Sequence, residues 1–508
     1  LPRPHELNDG AFRPGTRADD QFNVKLDLQA RPGDRLVAAV LLAALRALEQ
    51  LLSEDVGEID ARSTTRGGRP RASLVERMLL YARRSIIASD VQIEDLVDLN
   101  EIRVTRASRF FQGRELPSGV RLTALVLGAP GSAAGAGVAL LYGEAGGSWA
   151  PVGSVLGEQA GDGVGSALLV GDVDGDGQVD LVLGARGADG AGSGAGAMAV
   201  GLGPLSGDLE LGALDAVWTG EGAGDYAGGA LALGQLSGDG DPDLLVGAGR
   251  AGGASGGVGY VITAPATAGS YGLGAAGARL FGPDGALLGT ALAVGDLDGD
   301  GVADAIMGGF GWSEFAGTVR VALGPLLDDI DLGADADAGL DGSFGFDLAG
   351  QSVAAADVDG DGRADLVVGV PGDDSHAPEA GEVLVFPLPA GPLSAELAGT
   401  RLLGVMDYDR TGWSVASPGD LDGDGRAELL LGAPGANSEA GLVWLVYGGE
   451  GGSRELSLER DGAWSGPVEV GGLGNAVGGA GDVDGDGAPD LLLGAPGAAT
   501  TWLWPAAG

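Results

Sequence analysis

The chain has 508 residues, 100 of them glycine, and no cysteine, so disulfides and thiol chemistry are excluded. Its 72 acidic side chains outnumber 29 basic ones, giving a formal net charge of −43, and no basic stripe is present, which excludes nucleic acid as a partner. The longest strictly apolar run, 36–45, is half the length a membrane-spanning helix needs, so no membrane span is expected.

Residues 1–100 read as a small, mainly helical N-terminal region with a linker. Asp34 precedes RLVAAVLLAALRALEQLL, and SLVE from Ser73 forms a capping box before RMLLYARRSII; between them lies the basic stretch STTRGGRPR. A packed appendage, an interaction element and a cleavable propeptide are the roles open to this region. The chain begins with Leu1 and not methionine, as expected of a processed precursor whose secretion signal has been removed.

The composition then changes. Residues 1–115 carry 18 basic and 18 acidic side chains, whereas 116–508 carry 11 and 54; 93 of the 100 glycines also lie after residue 115. The second domain, 101–508, is internally repetitive. Residues 172–180 read DVDGDGQVD, and the pattern returns as DLDGDGVAD from Asp296, DVDGDGRAD from Asp357, DLDGDGRAE from Asp420 and DVDGDGAPD from Asp482. A decayed copy, QLSGDGDPD, starts at Gln235, and the six starts are 63, 61, 61, 63 and 62 residues apart. Glycines ending the following strand extend the series to seven, at Gly128, Gly184, Gly247, Gly308, Gly369, Gly432 and Gly494.

Each unit supplies a strand A (GSALLV, GTALAV, GQSVAA, GWSVAS), the acidic loop, a strand B (LVLGA, LVVGV, LLLGA), a turn opening with GAPG or a variant, a strand C (VALLYG, VRVALG, EVLVF) and a less regular strand D. Four short strands repeated seven times near a sixty-residue period predict an all-β, seven-bladed β-propeller.

The loop shares its first six positions with an EF-hand, which takes oxygen ligands from positions 1, 3, 5 and 7 and places glycine at 6. The twelfth residue is the apolar Leu183, however, and strands rather than helices flank the loop; the fourth carboxylate comes at position 9. Alternating carboxylates on a glycine-rich turn suit calcium, a hard cation that takes six to eight oxygens, better than magnesium. Five ions are expected. The candidate ligands are Asp172, Asp174, Asp176, Gln178 and Asp180; Asp296, Asp298, Asp300, Val302 and Asp304; Asp357, Asp359, Asp361, Arg363 and Asp365; Asp420, Asp422, Asp424, Arg426 and Glu428; and Asp482, Asp484, Asp486, Ala488 and Asp490. The seventh position of each set contributes its carbonyl. The Gln235 loop keeps only Asp239 and Asp243 in register and is read as a self-bonded turn.

Over residues 100–508 these motifs resemble the FG-GAP repeat propellers of integrin alpha subunits and their bacterial relatives, in which a calcium loop joins strands A and B and GAP follows strand B. The FG element survives here mostly as a lone glycine: Gly165, Gly228, Gly289, Gly350, Gly412 and Gly474. The resemblance implies a secreted or cell-surface calcium-binding module for cell adhesion or recognition, which binds a protein or glycan on the face opposite the calcium loops. On that face the B–C turn GGFGWSEFAG offers Phe310, Trp312 and Phe315, the D–A connection GVMDYDRTG offers Tyr408, Asp409 and Arg410, and GAGDYAG adds Tyr226. Two alternatives stay open: an enzyme of polysaccharide or lipid-anchor turnover, and a structural surface-layer or filament subunit. With His5 and His376 the only histidines, no catalytic constellation is recognised. After strand C of the last repeat (TTWLWP) the chain ends without a strand D, and the segment 102–111, IRVTRASRFF, is expected to supply it.

Overall fold

In the computed structural model the described residues are 5–6, 124–132, 135–145, 148–252, 255–263, 265, 268–387, 389–449, 451–456, 462–466, 471–481, 488–498 and 500–504. The expected N-terminal helices and the segment 102–111 lie outside them.

The repeats fold as a seven-bladed β-propeller. Strand B opens at the ninth loop position in every blade with a described loop end, at Asp180–Ala185, Asp243–Ala248, Asp304–Gly309, Asp365–Val370, Glu428–Ala433 and Asp490–Ala495, and all six residues of each are buried. Strand A pairs antiparallel with B, B with C, and C with D, as in blade four from Ala291–Gly295 through Thr318–Ala322 to Ala338–Asp341. Burial on both faces explains why strand B reads as a continuous apolar run.

The core lies between blades and not within them. Met198 and Trp218 of blade two pack with Tyr260 and Ile262 of blade three, and Val383 and Leu402 of blade five with Leu431 and Trp444 of blade six. Each fully buried aliphatic or aromatic side chain contributes about 1.5–3 kcal/mol, and here that gain needs the neighbouring repeat.

Glycines make the close approach possible. The N–H of Gly228 donates to the Gly247 carbonyl of its own blade at 2.9 Å, while the Gly228 carbonyl sits over Gly184 of the preceding blade, where a Cβ would meet it at 1.9 Å. Gly412 does the same with Gly432 and Gly369. The lone glycine left from the FG element is thus a blade-to-blade joint.

Two features have no counterpart in the sequence reading. First, five sheets gain an outer strand from the following blade: Gly207–Glu210, Gly269–Gly272, Ile330–Asp331, Gly391–Leu393 and Gly452–Glu455 each run parallel to the preceding blade's strand D. Second, the strand beside Thr500–Trp504 is His5–Glu6, paired antiparallel as His5 with Leu503 and Glu6 with Trp502. The segment 102–111, expected in that place, lies outside the described residues; two residues such as His5–Glu6 carry no periodicity from which to read a strand.

Candidate metal centre and exposed face

Each described acidic A–B loop uses its carboxylates first on its own backbone. In the loop of blade four, Asp296 accepts from the N–H groups of Gly299 at 2.7 Å, Asp300 at 3.1 Å and Gly301 at 2.9 Å; Asp298 accepts from Asp300 at 3.0 Å and Asp300 from Val302 at 2.8 Å. The loops of blades five and six repeat this pattern through Asp357, Asp359 and Asp361, and through Asp420, Asp422 and Asp424. Glycines at positions 4 and 6 take positive φ, as Gly299 at 82° and Gly301 at 89°, which lets the carboxylates between them converge.

Convergence is close. One oxygen each from Asp420, Asp422, Asp424 and Glu428 lie within 4.8 Å of one another, as do those of Asp172, Asp174 and Asp180, of Asp296, Asp298 and Asp300, and of Asp357, Asp359 and Asp361. Asp176 stands apart because the Gln178 backbone and side-chain amide take its two oxygens at 2.6 and 2.7 Å. Asp304 lies outside its trio and accepts from the Leu297 and Gly324 N–H groups at 2.7 and 2.8 Å, as Asp180, which does join its cluster, accepts from Val173 and Gly203. Asp365 accepts from Val358 at 2.8 Å and is outside its trio too. In blade seven, Ala488 and Asp490 are buried, while Asp482, Asp484 and Asp486 lie outside the described residues. At position 7, the Arg363 side chain lies 3.7 Å from Asp361, and Arg426 donates to the Asp359 carbonyl of the neighbouring loop at 3.3 Å.

The donor set fits a hard divalent cation. Asp172 Oδ1 and Glu428 Oε1 are buried without a hydrogen-bond partner among the described residues, which is costly unless something positive meets them. Burial pushes Asp304 and Asp365 up to about 6 and raises Asp180 and Glu428 as well, the expected state of carboxylates held in a low dielectric without a counter-charge.

Neighbouring loops are also joined. The N–H at position 8 donates to the position 1 carbonyl of the preceding blade's loop: Ala303 to Gln235 at 2.9 Å, Ala364 to Asp296 at 2.9 Å and Ala427 to Asp357 at 2.7 Å. Position 8 is proline at Pro242 and Pro489, which have no N–H to give.

Because the strands alternate in direction, the B–C turns and D–A connections emerge opposite these loops. Here the structure sorts the candidate residues. Phe315 is exposed and stacks on Phe346 with ring centroids 5.8 Å apart, in a turn where Ser313, Glu314 and Phe315 all have positive φ. Phe310 and Trp312 are half-buried; Trp312 packs against the core between blades three and four, beneath Arg320 at 6.0 Å. Tyr408 is 55% exposed, and Arg410 is paired with Glu379 at 2.8 Å. Tyr226 is exposed with Arg250 5.1 Å from its ring.

Asp409 is only 4% exposed and accepts from the Met406 N–H at 3.2 Å, so its carboxylate serves its own turn. Asp162, Asp225 and Asp347 do the same for Gln159, Gly222 and Phe344, each three residues before the joint glycine. That spacing, D-x-x-G, was visible in the sequence and would have identified Asp409 as a turn residue.

Sequence reasoning also missed Phe344, Phe346 and Met406, which are 74%, 68% and 65% exposed. They lie in the D–A connections of blades four and five. Two exposed phenylalanines in SFGF, among glycines where no strand pattern asks for them, are the signal that could have found them.

Next to this patch Glu382 is buried and paired with Arg401 at 2.6 Å. Burial foremost, and then Asp373, push its carboxyl up to about 7 against the opposing pull of Arg401. A carboxyl raised on folding adds stability below its unfolded value, near 4.3, and loses it as the pH rises through about 7. The melting temperature of the wild type minus that of Glu382→Gln should therefore fall between pH 4.5 and 8, by a change of up to about 3 kcal/mol in stability. A difference that does not vary with pH would show the buried carboxylate to be fully compensated by Arg401.

The fold and its loops define a propeller with acidic A–B loops, and comparison with known proteins agrees on the repeat type. The FG-GAP repeat model matches residues 164–200, 349–386 and 411–446, in blades two, five and six, so the chain carries FG-GAP repeats. It is similar to integrin alpha-IIb of Mus musculus, 34% identical over 226 residues, covering 43% of this chain and 21% of that protein. It is likewise similar to integrin alpha pat-2 of Caenorhabditis elegans, 32% identical over 225 residues (41% and 18%), and to integrin alpha-5 of Xenopus laevis, 35% identical over 162 residues (30% and 15%). The chain thus spans about a fifth of the length of these relatives. No helix among the described residues is long and apolar enough to cross a membrane.

Proposed function

We propose that the propeller is a calcium-bound, non-enzymatic adhesion or recognition module that works outside the cytoplasm and takes a protein or glycan ligand on the face opposite its calcium loops. The observation that carries this reading is the run of exposed apolar side chains, Phe315, Phe344, Phe346, Met406 and Tyr408, on adjoining turns of blades four to six. Such groups cost solubility in a monomer, and exposed aromatics set among charged groups are the common make-up of a binding hot spot. The calcium assignment is supported by the converging carboxylates and the two orphaned oxygens, and the location by the millimolar calcium that sites of modest affinity need.

The test is a protein and glycan array probed with the calcium-loaded chain, followed by product analysis of each hit. A ligand retained unchanged supports recognition; a cleaved one points to the enzyme. Phe346→Ala with Tyr408→Ala should reduce binding at least tenfold while leaving calcium affinity and melting temperature nearly unchanged, because both side chains are exposed. Binding that survives the double substitution would move the ligand to another surface.

A further inference from the structure

The loop of blade three departs from the others at positions 1 and 3, where Gln235 and Ser237 replace aspartates. The side-chain set at positions 1, 3, 5 and 9 then falls from four formal negative charges to two, those of Asp239 and Asp243. A divalent ion that depends on converging carboxylates loses half its charge complement there.

The loop nevertheless keeps the shape of its neighbours. Gly238 and Gly240 have positive φ at 80° and 97°, and Asp243 accepts from the Leu236 N–H at 2.7 Å as Asp304 does from Leu297. What replaces the first aspartate is the Gln235 amide: with its oxygen turned toward the loop, the orientation that the surrounding donors require, it accepts from the N–H groups of Gly238 at 3.2 Å, Asp239 at 2.9 Å and Gly240 at 2.7 Å. These are the N–H groups at positions 4, 5 and 6, the same three that Asp296 gathers in blade four. The longer glutamine side chain thus carries out the closure of the loop without a charge. Ser237 and Asp243 are buried in it together: the Ser237 N–H donates to Asp243 at 2.7 Å and the neutral serine hydroxyl lies beside the carboxylate where the other loops place a second carboxylate.

The position of this loop gives the substitution a use. The Gln235 carbonyl accepts the N–H of Ala303 from the loop of blade four, and the Leu236 carbonyl accepts from Leu326 at 2.8 Å in the same blade. On its other side Pro242 can give no N–H to blade two. The blade-three loop is therefore the first member of the hydrogen-bonded series that continues through the loops of blades four, five and six.

We propose that the Gln235 loop is a cation-independent anchor: it is closed by the glutamine amide, holds its shape with calcium absent, and fixes one end of the series of cation loops in blades four to six. This rests on the reading of those other loops as calcium sites. The test is amide hydrogen exchange on the full chain, followed by mass spectrometry, with calcium and with excess chelator. On chelation, peptides over 172–180, 296–304, 357–365 and 420–428 should lose protection while 235–243 keeps it; loss at 235–243 along with the rest overturns the anchor.

A second arm is independent of the metal. In Gln235→Ala, with calcium present, exchange at Gly238, Asp239 and Gly240 should rise by about tenfold or more, since three bonds to one oxygen are removed. Unchanged exchange there overturns the proposal. If chelation changes no loop at all, the calcium reading fails, and the Gln235→Ala arm still decides whether the glutamine closes this loop.

Discussion

Removing calcium should lower the melting temperature of the chain by about 5–10 °C. The arithmetic follows from mass action. If each loop binds with a dissociation constant on the order of 10⁻⁴ M, as extracellular calcium modules do, roughly 1 mM calcium adds about 1.4 kcal/mol per site, or about 6 kcal/mol over the four described loops. The entropy of unfolding grows with chain length, so for a propeller of nearly four hundred residues each kcal/mol moves the midpoint by little more than about 1 °C. Calorimetry with and without chelator, paired with a titration of bound metal, checks both halves. A melting curve indifferent to chelator, or a chain that binds no calcium, would remove the ions from the account and leave the loops as self-bonded turns.

Gly196→Ala should be among the most damaging single substitutions, costing about 3 kcal/mol or more. The residue stands at the start of strand C in blade two with φ at 82°, and a Cβ would lie 2.2 Å from the Ala227 carbonyl oxygen and 2.3 Å from the Ala227 nitrogen of blade three. Neither atom can yield, since Ala227 donates its N–H to Ala195 at 3.0 Å and pairs with Gly196 as an isolated parallel bridge. Gly224→Ala separates the two causes. Its φ is 83°, but nothing lies within 4 Å of the added Cβ, so only the left-handed backbone is penalised, at about 1–2 kcal/mol. Denaturant midpoints for the pair should differ accordingly; equal losses would mean that backbone strain alone matters and that the blades can part to admit a methyl group.

What could be read from the residues alone was what repeats. Five acidic loops in register and a buried strand B carry both the blade count and the candidate metal ligands, because a motif copied around a ring leaves the same spacing each time. The parts that escaped are those whose cause lies in another blade. Gly207–Glu210 is a strand only because the strand D of blade one lies beside it, and nothing in GDLE announces this. His5–Glu6 is recognisable as a strand only next to Leu503 and Trp502. How far Trp312 is exposed depends on what lies beneath its turn, and there it is half-buried against the core between blades three and four, which no local pattern announces. The local role of Asp409 was legible in the recurring D-x-x-G spacing, since its partner, the Met406 N–H, is only three residues away.

The borrowed outer strands bear on how the chain is made. A ribosome delivers the blades from the N-terminus onward, and the sheet ending in Thr400–Leu403 lacks its last strand until Gly452–Glu455 has emerged from the next repeat. Maturation therefore trails synthesis by most of a blade, each new repeat sealing the one before it. The two residues that complete the final blade, His5 and Glu6, precede every repeat and can pair only once Leu503 and Trp502 have emerged. Until that moment the growing protein has a free edge at its newest end, and nascent chains crowded on one messenger are held apart there by charge: 54 acidic side chains against 11 basic ones after residue 115 make each partly built ring repel its neighbours.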